Sequence, residues 1–174
     1  MAALAEYAER YERALAVAGR RLPRGAGRLE VVEHVSGDGG TDFGVPGKWC
    51  ALDLRPLRSA DARRLADIVE ASWRVLDEVV TAAPAVLRKG PRGGGRDRDQ
   101  IADHVVDAEQ AYFGKVSLRG ADRTTFAGGL RAARDPVPEP ANARAKPWPW
   151  RYAARRVAWH ALDHAWEIED KSEL

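Results

Sequence analysis

The stretch Arg151–Asp170, RYAARRVAWHALDHAWEIED, decides how the rest of the chain is read. It carries His160 and His164 four residues apart, with Trp159, Trp166, Val157 and Ile168 around them. A helix turns about 100° per residue, so positions four apart lie within about 40° of each other. Both imidazoles therefore point into one small volume, on the side that also carries Ala153 and Val157. Pro149 suits the first turn of this helix. Two imidazoles side by side on an apolar surface need a reason, and a second helix supplies part of it.

That second helix is DQIADHVVDAEQAYFGKV, opened by Asp97 or Asp99. Its inward positions are Ile101, His104, Val105, Ala108, Ala111 and Tyr112. Three of the chain's four histidines, His104, His160 and His164, thus lie on apolar helix faces. His34 does not. A dry cluster of neutral imidazoles leaves lone pairs without partners, at roughly 1–3 kcal/mol each. A divalent metal removes that cost, and three imidazoles with an open position are the donor set of a catalytic site. The periodicity leaves two readings open, a metal site and a packed histidine cluster. HALDH is not the HExxH protease motif, because Ala161 and Leu162 stand where a glutamate is required. Asp107, Asp163 and Glu167 lie on the same arcs as the histidines. They are candidates for carboxylates that orient a ligand imidazole, or for surface ion pairs, for example Arg156 with Asp163.

The remainder of the chain reads as helices and connectors. Residues 3–20 repeat Leu4, Tyr7, Tyr11, Leu15 and Ala18 at helical spacing, with Pro23 and Gly25 as the stop. RLEVVEHVSG and KWCALDLRPL flank the glycine cluster GDGGTDFGVPG, which predicts a short β-hairpin. TDFGVPG reads as an Asx-type turn with glycines at positive φ, and Trp49 and Phe43 are expected to tuck against the helices. Ser59 is the expected N-cap of a long helix with Leu65, Ile68, Val69, Leu76, Val79 and Val80 on its apolar stripe, ending at Pro84. RKGPRGGGRDR, residues 88–98, has five basic and no apolar residues and reads as a solvated loop. It lacks the GKS/T ending of a phosphate loop. A short helix after Arg123 is weakened by Gly128 and Gly129. PVPEPANARAKPWPW, with five prolines from 136 to 149, is an extended connector.

The whole is one domain of 174 residues, 45% hydrophobic and 31% charged. A net charge of +2 with dispersed basic residues argues against nucleic acid as a partner. No apolar run approaches the roughly 20 residues of a membrane span. The N-terminus alternates Glu with Ala and does not read as a signal peptide. Cys50 is the only cysteine, so a cytoplasmic setting is expected.

The pair IADHVVDAEQAY and RRVAWHALDHAWEIED resembles the two signature helices of the DinB-like superfamily, which includes bacillithiol and mycothiol S-transferases. The resemblance covers about residues 59–170. It implies an all-α, up-down-down-up four-helix bundle, with residues 1–58 as an N-terminal addition. It also implies a divalent metal, nickel or zinc, on His104, His160 and His164, a low-molecular-weight thiol as co-substrate, a small-molecule substrate and a homodimer. In such an enzyme the metal lowers the pKa of the thiol and presents a thiolate to an electrophile. A metal-dependent hydrolase, a non-catalytic small-ligand binder and a structural bundle are the alternatives. The few residues from Lys115 to Arg123 must connect two parallel helices, so either the crossover is unusual or the helix at 3–20 takes a bundle position. The flanking tryptophans, Trp159 above all, are expected to keep the site dry.

Overall fold

The computed structural model describes residues 7–24, 30–42, 44–144 and 146–172. Among them the fold is all-helical: α1 (Ala8–Val17), α2 (Gly39–Asp42), a 3-10 turn (Ala51–Leu54), α3 (Ser59–Ala82), α4 (Arg98–Gly114), α5 (Arg123–Ala132) and α6 (Trp150–Ser172). Among the described residues no helix is long and apolar enough to cross a membrane.

The core is built on α3 and α6, the most extensive helix pair. Both bury small side chains, Ala62 and Ala66 on α3 and Ala154, Ala158, Ala161 and Ala165 on α6, which permits close approach of helix axes. Arg151 at the start of α6 pairs with Asp61 at the start of α3 (3.1 Å). Near their far ends, Arg13 of α1 bridges Glu78 and Glu169 (3.0 and 2.6 Å). The two helices therefore run parallel. The start of α4 lies near the end of α6, where His104 meets His164, and its end lies near Trp148, which stacks on Tyr112. So α4 runs antiparallel to α6. Arg123 at the start of α5 reaches Asp77, and Arg131 at its end reaches Asp67 and Glu70, so α5 descends along α3. An aromatic cluster of Trp73, Phe113, Phe126 and Trp150 fills the space between α3, α4, α5 and α6.

The crossover problem has a simple answer. At ten residues, α5 is only about 15 Å long. It starts beside Glu109, five residues before the end of α4 (Arg123 Nε to Glu109 Oε2, 2.8 Å). The segment 115–122 has to climb only part of the height of α4 before α5 turns down.

Several local expectations differ in detail. The first helix stops earlier than Pro23: Gly19 adopts φ 68° and closes the end at Ala18. Residues 3–6 and Phe43 lie outside the described residues. Ser59 is the first helical residue and not the cap; the chain enters α3 from extended Arg58. No strand forms among the described residues, so the hairpin is absent there. Val31, Val32 and Val35 are exposed, with no apolar face to bury and no second strand to pair with. The two flanks are joined instead by Glu33, whose carboxylate accepts from the Ala51 N–H (2.9 Å). The Asx turn sits before TDFGVPG and not within it, on Asp38, which accepts from Gly40 and Thr41 N–H. Gly44 and Gly47 take positive φ as anticipated.

Candidate metal centre

The antiparallel crossing of α4 on α6 brings His104 against His160 and His164. The ring centroids lie 5.3 Å (His104–His160), 5.0 Å (His104–His164) and 4.6 Å (His160–His164) apart. Each ring offers one nitrogen, and the three nitrogens lie within 4.8 Å of one another. A tetrahedral ion with bonds of about 2.1 Å sets its ligand nitrogens about 3.4 Å apart. Ring movements of about an ångström close that gap.

The environment disfavours protonation of His104 and His160. Burial, then the neighbouring His164 and His104, then Arg156 and Arg96, push His160 down to about 3. Burial, with Arg96 and His164, also lowers His104. Neutral imidazole is the form that binds a metal. The Nδ1 of His160 is buried without a hydrogen-bond partner, the unsatisfied atom expected of a ring whose partner is an ion. His164 differs: its Nδ1 bonds Glu167 Oε2 at 2.7 Å, which leaves Nε2 as its free donor atom. Burial pushes Glu167 up, but bonds from Lys171 and His164 outweigh it and hold the carboxyl below its ordinary range. It is therefore an ionised acceptor. These residues fit a divalent ion.

The other acids behave differently. Asp107 is exposed, one turn beyond His104. Asp163 is half-buried and raised by that burial. It does not pair with Arg156. That guanidinium instead covers Trp159 (4.2 Å to the ring centroid) and Tyr112 (5.7 Å), and donates to the Gly44 carbonyl (3.3 Å). Trp159 lies beside His160, with ring centroids 6.3 Å apart, but does not bury itself there. Trp159 is 46% exposed, and Trp166 packs against Tyr7 and Arg10. Enclosure comes from Tyr112, edge-on to His160 at 5.5 Å, and from Arg156. No family model, curated protein or solved structure matches this chain. Function must therefore be argued from the geometry.

Two features escaped the sequence reading. Arg96, in the glycine-rich loop, adds its positive field to His104 and His160; nothing in a solvated-looking loop signals that. Glu109 is buried on α4, bonded by Trp73 Nε1 (2.7 Å) and Arg123. An acid one place after the inward-facing Ala108 was the available hint. A cleft of about 680 Å³ lies near the start of α6, lined by Arg55, Arg58, Arg151 and Arg155. Yet Arg151 and Arg155 are already paired with Asp61 and Asp53, whereas the triad alone offers converging free donors.

Proposed function

We propose that this protein is a divalent-metal-dependent enzyme of the thiol S-transferase type, with nickel or zinc held by His104, His160 and His164. The observation that carries the reading is the convergence of three imidazoles, His104, His160 and His164, with the Nδ1 of His160 buried and unpartnered. A DinB-like bundle of α3, α4, α5 and α6, with α1 as an addition, is the architecture we assign. The parallel α3 and α6 with descending α4 and α5 support it. When bound, the ion supplies a Lewis acid that stabilises the thiolate form of a low-molecular-weight thiol. The chain's own residues set the conditions for that. Glu167 fixes the His164 tautomer, Tyr112 shields the rings from water, and Arg156 brings a positive charge beside the triad for an anionic small-molecule substrate. A cytoplasmic homodimer is the setting we expect.

Metal analysis of untagged protein tests the site. The expected result is about one nickel or zinc per chain in the wild type and little in His160→Ala. A wild type that is metal-free and fails to take up either ion would refute the proposal. Thiol consumption with electrophiles such as chlorodinitrobenzene or maleylpyruvate then separates enzyme from binder. A metal-loaded protein that consumes no thiol would be a binding or structural bundle, and one that instead hydrolyses esters or amides would be a hydrolase.

A further inference from the structure

A second concave site lies at the C-terminal end of α4. It encloses about 600 Å³ between the turn that follows the helix and the proline-rich connector. Lys115 and Arg119 come from the turn, and Arg144 and Lys146 from the connector. No acid lines it. None of the four cations is ion-paired among the described residues. In the arginine cleft by the start of α6, by contrast, Asp53 and Asp61 already neutralise two of the guanidiniums.

The pocket is built and not a chance gathering of surface charge. The connector is clamped at both ends to the turn: Ser117 Oγ donates to the Glu139 carbonyl, and Trp148 N–H donates to the Lys115 carbonyl, both at 2.7 Å. Gln110 Nε2 donates to the Ala121 carbonyl (3.0 Å) and fixes the turn from the other side. Ser117 makes its clamp from φ 64°, the only non-glycine at positive φ among the described residues. Left-handed backbone costs an ordinary residue about 1–2 kcal/mol, and such strain persists where the surroundings enforce it, often at binding sites. The α4 C-terminus adds a partial negative charge of roughly half a unit. That offsets only a fraction of four full positive charges, so the cavity remains strongly electropositive.

We propose that this pocket binds a small, multiply charged anion, a phosphate ester or a polycarboxylate. The cations repel one another around a half-open pocket, each of them exposed to solvent, and a compact anion relieves all four at once. The concave shape favours a small molecule over an extended nucleic-acid backbone, which needs a continuous basic track. The site is independent of the histidine triad. Its nearest wall residue on the His104 row of α4, Ala111, is about 10 Å further along the helix.

Titration calorimetry at about 0.15 M salt, with pyrophosphate and with citrate as probes, tests this. The wild type is expected to bind at least one of them saturably. The tighter probe identifies the phosphate or carboxylate class. Arg119→Ala/Arg144→Ala should weaken that binding at least tenfold, and Lys115→Gln/Lys146→Gln should do the same should the first pair fold poorly. Arg55→Ala/Arg58→Ala, in the other cleft, should leave it unchanged. His160→Ala should also bind as the wild type does, because its triad offers no metal to the anion. The proposal is overturned if neither probe binds, if the pocket variants bind as tightly as the wild type, or if binding vanishes in His160→Ala. Binding of a single-stranded oligonucleotide that neither small anion displaces would overturn it too.

Discussion

Removing Glu167 gives the sharpest test of whether the histidines were arranged for an ion. Its Oε2 accepts from His164 Nδ1 at 2.7 Å, while Oε1 takes the Lys171 ammonium. In the metal-free protein the Glu167→Ala change removes a part-buried ion pair at the surface, with side chains 25% and 28% exposed. Pairs of that kind contribute at most about 1 kcal/mol. For a chain of this size that is a fall in Tm of about 2–4 °C. With metal bound the cost is different in kind. The ion requires His164 to keep its proton on Nδ1, and without Glu167 that N–H has lost its acceptor. Loss of such a supporting carboxylate typically lowers metal affinity about 10–100-fold, or about 1.4–2.7 kcal/mol. Since a ligand stabilises only the form that binds it, the metal-induced rise in Tm should shrink by about 3–11 °C. Glu167→Gln keeps an acceptor oxygen and should fall between wild type and Glu167→Ala. The assay is thermal unfolding with and without excess zinc or nickel. If the metal-induced rise is the same in Glu167→Ala as in wild type, the carboxylate is a surface ion-pair partner and the reasoning fails.

Two further predictions concern the frame that holds α4. Arg123→Ala strips the buried Glu109 carboxylate of its charged partner, leaving only Trp73 Nε1, and should cost about 3 kcal/mol and about 6–12 °C in Tm. Burial already raises Glu109 against the pull of Arg123 and Trp73. Without Arg123 its folded pKa rises further above the unfolded value, so the deficit should grow as pH climbs from about 4.5 toward 7. A deficit independent of pH in denaturant melts would contradict this. On α5, a Cβ at Gly128 meets nothing within 4 Å, whereas one at Gly129 meets Leu118 and Trp150 at 3.2 Å. Gly128→Ala should therefore gain up to about 1 kcal/mol from helix propensity. Gly129→Ala should gain clearly less, or lose stability; equal gains would refute the packing argument.

What the sequence could foretell follows from the range of the forces involved. The histidine stripes were legible because helical period is local: once α4 and α6 form, the faces carrying His104, His160 and His164 are fixed. The hairpin failed for the opposite reason. Val31, Val32 and Val35 have strand-like side chains, but a strand needs a partner and an apolar face to bury, and neither is encoded within ten residues. Arg156 is the same lesson on a smaller scale. Helix spacing put Asp163 within its reach, but the aromatic surface formed by Trp159 and by Tyr112 of α4 claimed the guanidinium first. Glu109 was hidden because its partners, Trp73 and Arg123, come from two other helices.

These non-local arrivals bear on what the triad would hold. Three neutral imidazoles add no negative charge, so a bound divalent ion would keep its full charge. The carboxylate nearest the rings, Glu167, is shared with Lys171, and Asp107 is exposed to solvent. Arg96 and Arg156 add further positive field at His160. A centre with that surplus discriminates by charge: neutral water gains little from the two arginines, whereas a thiolate or carboxylate gains from both. The electrostatics therefore favour an anionic ligand in the open position, whether a thiolate, a carboxylate or a hydroxide. Arg156→Ala, which removes one of those charges, should weaken thiolate binding more than it changes the affinity for the ion itself.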